Sequence, residues 1–285
     1  MTMRKADRCL VRLCAPLLAL AGLAGACGAA AQTPARVPTN CDRACLEGLV
    51  DRYLEAVVAH DPKRLPLSAD VKYTENEQLL AVGDGFWNLA TARGNYSHYF
   101  ADPVAGQAAW LGTMRQGDTT LLMSLRLRVQ LGRITEIETG YFRPGGGGPN
   151  DIAAMDARGK PEALWLETIP PAKRSTRAEL IEIANAYFEA VQRDDGKGFY
   201  PFTDDCDRIE NGAHTTNNPS SRPTPGGFDY MGLDCKKQLE SGYLGIVTSV
   251  HHRRFPLVDE ERGVVWANGV FYMGGTVREI KLNTG

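Results

Sequence analysis

The sequence lacks an excess of charge of either sign. It holds 32 lysines and arginines against 34 aspartates and glutamates, a formal net charge of -2 at pH 7. Because the two signs nearly cancel, the chain has no electrostatic field that would attract nucleic acid or an anionic membrane surface. An apolar run of the ~20 residues that a membrane-spanning helix needs is also missing. We therefore expect neither nucleic acid as a partner nor a membrane span.

Motifs of the common metal, nucleotide and hydrolase sites are absent as well. The sequence has no HExxH, H-x3-H, EF-hand or C-x2-C spacing, no GxSxG elbow, no GxGxxG after a strand and no Walker loop. The glycine run 145–148 is not followed by the Lys-Ser or Lys-Thr of a phosphate-binding loop. These absences predict a protein without a metal or a cofactor.

The N-terminus has the pattern of a secretory signal peptide. Basic residues precede an apolar stretch from Leu13 to Ala26, and small residues follow up to Ala31. Cleavage after Ala31 predicts a signal peptide over residues 1–31 and a secreted or periplasmic protein. A membrane anchor is the less favoured alternative because the stretch is short. A lipoprotein modified at Cys27 is another, although the residues before it depart from the usual pattern.

Cysteine positions agree with an oxidising compartment. Three of the seven cysteines lie in the predicted leader, and the mature chain keeps Cys41, Cys45, Cys206 and Cys235. A Cys206–Cys235 disulfide would close a loop of about 30 residues and contribute roughly 3.5 kcal/mol in the chain-entropy model. Cys41 and Cys45, four residues apart at the start of a predicted helix, could pair only if that turn is distorted. Their pairing stays open.

Two similar segments organise the chain. Apolar residues at helical spacing predict an amphipathic helix over residues 41–59, and the same spacing recurs from Leu180 to Val191, after a capping box of Thr176 and Glu179. Further matches follow each helix, such as Glu75-Asn76 with Glu210-Asn211. Such self-similarity indicates a duplication. We expect a first module over 40–143, a Gly/Pro-rich linker over 144–174 that packs on one module, and a second module over 175–285.

After each helix the apolar period changes to two. Met123, Leu125, Leu127 and Val129 alternate with polar residues, and a turn at 131–133 leads into a partner strand over 134–141. In the second module the pattern predicts strands near 245–255, 264–273 and 276–282. The prediction is an α+β fold with two modules, each a helix on the concave face of a curved antiparallel sheet with a pocket between them.

Several motifs carry a family resemblance. They are Cys41-Asp-Arg-Ala-Cys45, His60-Asp-Pro62, Tyr73-Thr-Glu-Asn76, Gly83-Asp-Gly-Phe-Trp87 and Asp205-Cys-Asp-Arg-Ile-Glu-Asn-Gly212. The chain resembles an uncharacterised family of secreted fungal and bacterial proteins that look like tandem cone-shaped modules of the nuclear transport factor 2-like (NTF2-like), or SnoaL-like, superfamily. The resemblance implies two NTF2-like cones. Similar chains continue with a strand hairpin after the position of Gly285, so the second cone is either cut short or ends at Leu282.

The resemblance also implies a chemistry for the first module. Catalytic cones of the superfamily, such as ketosteroid isomerases, dehydratases and polyketide cyclases, need a buried acid or base in an apolar pocket. Glu75 and His98 are the catalytic candidates here, with Tyr73 and Trp87 as ligand-binding residues. Tyr73 and Glu75 share one strand face, and a carboxylate against Trp87 would have a raised pKa. Alternatively, Glu75-Asn76 forms a turn and Trp87 belongs to the core.

In the second module the catalytic candidates are Asp207, Glu210 and His251, and Arg253 is a candidate for holding an anion. Alternation sends His251 and Arg253 to one strand face and His252 and Arg254 to the other. His214 beside these acids is a weaker candidate, and a metal held by Asp205, Asp207 and His214 has little support. The alternative for the hairpin charges is a solvated cluster of Arg254 with Asp259, Glu260 and Glu261.

Two functions remain open from sequence. One is a cofactor-independent enzyme that performs proton transfer, isomerisation, elimination or hydrolysis on a small molecule. The other is a non-catalytic module that binds a small hydrophobic ligand or a protein partner. A polar, titratable pocket would favour the first and an apolar pocket the second. Because two modules in one chain can pair internally, we expect a monomeric pseudo-dimer.

Overall fold

The structure is a computed structural model that describes residues 41–192, 194–223 and 227–283. The predicted signal peptide lies outside the described residues. Within them the chain is a mixed α+β protein, as predicted, with four α-helices and ten strands. None of the described helices has both the length and the apolar character needed to cross a membrane.

The first helix, α1, runs from Arg43 to Val58, in agreement with the apolar spacing. Its N-cap Asp42 accepts a hydrogen bond from the Cys45 amide, which satisfies one free N–H group of the first turn. Cys41 precedes this cap and forms a disulfide with Cys45. The bridge therefore forms without distorting a helical turn, because only one of its two cysteines is helical.

Six strands form one sheet in the order β2-β1-β6-β5-β4-β3. Strands β3 to β6 are an antiparallel meander, and the predicted turn is formed by Leu131 and Gly132, both at positive φ. The expectation of a purely antiparallel sheet is wrong for β1, which pairs with β6 in parallel. No tight turn joins these two strands, so nothing local fixes their relative direction. The strands are β1 Leu67–Glu75, β2 Gln78–Leu80, β3 Ala92–Asp102, β4 Gln107–Gln116, β5 Thr119–Gln130 and β6 Arg133–Phe142.

The two faces of this sheet have different neighbours. Helix α1 packs on β3 and β4 and covers one face, which we call the inner face. Leu125 and Leu127 of β5 join the same core as α1 and are fully buried. Ser124, Arg126 and Arg128 alternate with them and point to the opposite, outer face. Register shifts in three strand pairs bend the sheet around the helix.

The predicted linker over 144–174 is folded rather than extended. Its helix α2, Ile152–Arg158, packs against β3, and Ile152 and Met155 form a small core with Tyr96 and Leu122. Asp156 accepts a hydrogen bond of 2.7 Å from the Asn95 amide and another from Thr113. The segment also contains 3₁₀ helices at Ala163–Leu166 and Pro171–Lys173.

The second half begins with helix α3, Arg177–Val191, whose predicted capping box is present. Two hairpins follow, one short and one long, each a two-stranded sheet. The predicted strand over 276–282 is wrong, because these residues have no strand partner in the described part of the chain and most of them are exposed. The second half therefore has a long hairpin in place of a curved sheet. Its other elements are β7 Ile209–Glu210, β8 Ala213–His214, α4 Cys235–Glu240, a 3₁₀ helix Tyr243–Ile246, β9 Ser249–Asp259 and β10 Val264–Tyr272. A disulfide joins Cys206 to Cys235.

One repeated motif has the same local geometry in both halves. Glu75 and Glu210 each end a strand, and Asn76 and Asn211 each begin the two-residue turn that follows. Both asparagines have positive φ, 45° and 49°. Asparagine tolerates this left-handed conformation better than most residues, which explains its use at both turns.

The β9–β10 hairpin packs on the outer face of the first sheet. Leu257 shares a core with Phe100 and Ala109, and the Trp266 and Phe100 rings lie 5.5 Å apart. Ion pairs also join segments that are distant in sequence. Arg43 of α1 pairs with Asp259 and Glu261, Arg177 of α3 pairs with Asp102 and Glu260, and Arg254 pairs with Glu138. The expected solvated cluster within the hairpin is therefore wrong, because its charges find partners that are distant in sequence.

Candidate functional site

Glu75 lies at the centre of a buried hydrogen-bond cluster on the inner face. Its carboxylate accepts hydrogen bonds from the Tyr73 hydroxyl at 2.6 Å, the Phe86 amide at 2.8 Å and the Tyr141 hydroxyl at 3.0 Å. Burial, together with the nearby Tyr53 and the Glu75 acceptor, raises the pKa of Tyr73. Gly85, at φ 65°, approaches the carboxylate so closely that any Cβ would collide with it.

Three donors occupy three of the roughly four acceptor positions of this carboxylate. This arrangement fastens the 3₁₀ helix Gly85–Asn88 to the end of β1. Trp87 of that helix is buried and meets the Tyr53 ring edge-on at 5.3 Å. The geometry thus combines both sequence readings, since Glu75 is a buried acid beside Tyr73 and also the last residue before a turn.

His98 is not part of this cluster. It lies on the outer face of β3, with its ring 4.0 Å from Phe100 and 5.5 Å from Trp165. Burial, with Arg262 adding to it, lowers the pKa of His98 to about 4. Its Nε2 atom is buried without a hydrogen-bond partner in the described part of the chain. The sheet therefore separates His98 from the other three candidates, Tyr73, Glu75 and Trp87.

Asp207 and Glu210 belong to a polar network around the β7–β8 hairpin. His214 Nδ1 lies 2.8 Å from Asp207, which also accepts a hydrogen bond of 2.6 Å from Thr216. Glu210 pairs with Arg208, which in turn bonds to Tyr230 and Gln238. Within residues 41–192, 194–223 and 227–283, no group of three or more Asp, Glu, His or Cys side chains is arranged to hold a metal ion.

His251 and Arg253 contact different surfaces. Arg253 bonds to Asn185, Glu189 and Gln192 of α3, whereas His251 is exposed beside the Tyr272 ring. Strict alternation fails here because the β9–β10 register shifts between Asn268 and Val270, and His252 has a φ of 54°. Bulges of this kind re-aim side chains and often lie beside functional sites.

An open cleft of about 640 Å³ lies between the outer face of the first sheet and the second half of the chain. Its first wall contains Ser124, Arg126 and Glu138. The opposite wall contains the aromatic rings of Phe188, Trp266 and Phe271 and the polar side chains of His252, Arg254 and Asn268. Sequence reasoning missed most of these residues, since no local pattern brings β5, β6, α3, β9 and β10 together.

Charges in the cleft are paired unequally. Arg126, almost fully buried, donates to Glu138 at 2.8 Å, Glu136 at 2.8 Å and Gln107 at 2.7 Å. Arg254, half exposed, bonds to Glu138 at 2.9 and 3.3 Å. Burial opposes ionisation of Glu138, but hydrogen bonds from these two arginines hold its pKa below the ordinary value. Each of the three guanidinium nitrogens of Arg126 thus has an acceptor on the sheet, while the Arg254 side chain remains half exposed.

Comparisons with known proteins identify a domain but no activity. Residues 173–282 match a family described as a domain of unknown function, DUF8021. No curated protein matches the chain. Solved structures that match include a protein from Kribbella flavida assigned provisionally as a ketosteroid isomerase. It is 15% identical, the match covers 39% of this chain and 88% of that chain, and the TM-score is 0.32.

Two further solved structures match over similar parts of their own chains. One is an NTF2-like protein of unknown function from Cytophaga hutchinsonii. It is 11% identical, the match covers 36% of this chain and 93% of that chain, and the TM-score is 0.29. The other is a protein of unknown function with a cystatin-like fold from Methylobium petroleophilum. It is 15% identical, the match covers 47% of this chain and 99% of that chain, and the TM-score is 0.33. Each match covers most of the solved chain and less than half of this one.

Proposed function

We propose that this protein binds a small organic molecule in the cleft between the first sheet and the β9–β10 hairpin. The observation that carries the proposal is the cleft itself, which has aromatic rings and convergent polar side chains on one wall. Its volume of about 640 Å³ falls within the ~300–1,000 Å³ that is usual for ligand sites.

The backbone at His252 supports the same site. A histidine at φ 54° within a strand is held away from the conformation that its neighbours adopt, at a cost of order 1–3 kcal/mol. The effect is to place His252 in the cleft beside Arg254, while Arg253 turns to α3. Asn268 adds a buried side-chain oxygen that has no hydrogen-bond partner among the described residues.

A thermal-shift screen against small apolar, phenolic and sugar-acid compounds tests the proposal. Ser124→Phe places a ring in the cleft and is expected to abolish the shift caused by any hit. Gln130→Phe is the matched control, because Gln130 lies on the same strand and the same outer face but does not line the cleft. A hit that Ser124→Phe leaves unchanged contradicts binding at this site.

Proton-transfer catalysis is the second candidate function. The observation that favours it is that His252 lines the cleft. Its imidazole is a titratable group on an aromatic wall, as a general acid or base requires. Glu75 is less suited, because three donors already engage its carboxylate. Conversion of a bound compound by the parent protein, lost in His252→Gln with binding retained, would support catalysis. Binding without conversion supports the non-catalytic function.

Export and a monomeric state complete the proposal. The two disulfides are compatible with an extracellular location, which predicts that the chain folds in the periplasm and not in a reducing cytosol. The hairpin already covers part of the outer face of the first sheet, a surface that a second copy would otherwise need. Analytical ultracentrifugation is expected to give a monomer, and a stable dimer would contradict this.

A further inference from the structure

We infer that the cleft takes a carboxylic acid with an aromatic or alicyclic ring, its carboxylate held by Arg254. The inference rests on the proposed function and adds the chemical class of the ligand. It follows from three features of the cleft: the balance of charge, the exposure of one arginine and the position of the aromatic wall.

The charge balance near Arg254 favours an anion. Arg126, Arg128 and Arg254 share two carboxylates, Glu136 and Glu138, so the group of five carries a net charge of +1. The one other charged side chain that lines the cleft is Glu77, in the exposed turn between β1 and β2. An incoming carboxylate therefore meets a local excess of positive charge at Arg254, while Glu77 at the rim brings the sum over the six side chains to zero.

Arg254 can accept a second carboxylate without leaving a buried charge unpaired. Its side chain is 50% exposed, and both of its hydrogen bonds to described residues go to Glu138. If Arg254 turns towards a ligand, Glu138 keeps its 2.8 Å bond from Arg126. The planar guanidinium matches a carboxylate with two parallel hydrogen bonds, which gives the site geometric selectivity as well as charge.

The rest of the wall that carries Arg254 suits a ring. Trp266, Phe188 and Phe271 line the cleft on the same side as Arg254. Phe188 and Phe271 meet edge-on at 5.9 Å, and Trp266 is backed by Phe100, so these rings are held in place by packing. Rigid aromatic rings offer apolar contact at a small cost in conformational entropy. The unpaired oxygen of Asn268 suits a hydroxyl donor on the ligand.

Three probes of one shape and different charge test the inference by calorimetry on the full chain: 2-naphthoate, 2-naphthamide and 2-naphthylmethylamine. We expect naphthoate to bind at least tenfold more tightly than the amide, and the amine to bind most weakly. Arg254→Gln is expected to remove the preference for naphthoate, and Arg254→Lys to keep part of it. Glu77→Gln is expected to strengthen naphthoate binding about twofold, since it removes the acid at the rim.

Arg64→Gln is the matched control, because Arg64 has a similarly exposed side chain, 56%, and lies in the 3₁₀ helix Pro62–Arg64, outside the cleft. Equal affinity for naphthoate and naphthamide overturns the carboxylate inference and leaves binding in the cleft intact. Naphthoate binding that survives Arg254→Gln places the anion elsewhere and also overturns it. If none of the probes binds and the compound screen is empty, the proposed function fails as well.

Discussion

Protonation of His98 is predicted to destabilise the protein in mild acid. The imidazole is 4% exposed between Phe100 and Trp165, and its Nε2 atom has no partner in the described chain. Two charges act on it from the hairpin, Arg262 against protonation and Asp259 in favour of it. Burial is the larger cause, and together they lower the pKa of His98 to about 4 from 6.5.

The sign and size of the effect follow from linkage. An unfolded chain takes up this proton near pH 6.5, whereas the folded chain takes it up only near pH 4. Between these values the unfolded state binds more protons, so the free energy of unfolding falls as the pH falls. Each pH unit is worth about 1.4 kcal/mol, which gives a loss of about 3 kcal/mol between pH 6.5 and 4. The loss levels off below pH 4, where the folded and unfolded states both become protonated.

Urea unfolding of the parent and of His98→Phe across this pH range measures the effect. The variant keeps a ring among the aromatic neighbours and removes the titrating group, so carboxylates that titrate in both proteins cancel in the comparison. We expect the variant to lose about 3 kcal/mol less than the parent between pH 6.5 and 4. His251→Phe, at an exposed histidine, is the control and is expected to follow the parent. Parallel curves for the parent and His98→Phe would refute the reasoning.

Three further predictions concern stability, each measured by urea unfolding. Glu75→Gln replaces a carboxylate that accepts three hydrogen bonds and is expected to cost about 2 kcal/mol, and a loss below about 0.5 would contradict the cluster. Asp102→Ala leaves Arg177 without its bidentate partner at 2.7 and 2.8 Å and is expected to cost about 3 kcal/mol; an unchanged stability would refute a buried ion pair. Replacing Cys206 and Cys235 by alanine is expected to cost about 3.5 kcal/mol, whereas equal stability of the oxidised parent and the variant would exclude this bridge as a stabilising link.

Local signals explain what could be predicted from the sequence. The α3 capping box, the apolar spacing of both long helices and the alternation of β5 each involve residues within a few positions of one another. Such patterns report backbone conformation directly, because the groups that satisfy each other are neighbours in the chain. The turn at Leu131-Gly132 belongs to the same class, since positive φ at both residues closes a hairpin.

Pairings between distant segments explain what could not be predicted. The parallel contact of β1 with β6, the partners of Arg254 and the separation of His98 from Glu75 each depend on how elements pack. Alternation over 276–282 resembles a strand, but a strand also needs an edge to pair with and a surface to cover. Residues 276–282 are unpaired and mostly exposed, so the pattern has no structural consequence there.

The position of Arg126 connects the packing of the two halves to the candidate site. Alternation along β5 describes Ser124, Arg126 and Arg128 as the polar side of a half-buried strand, yet Arg126 is only 3% exposed. Burial of a guanidinium is costly unless its donors are satisfied, and three acceptors on the same sheet satisfy them. With Arg126 neutralised within its own wall, the exposed cation of the cleft is Arg254 on the opposite wall. In the proposed complex, Arg254 of the hairpin therefore binds the ligand, and the first sheet forms the opposite wall of the cleft.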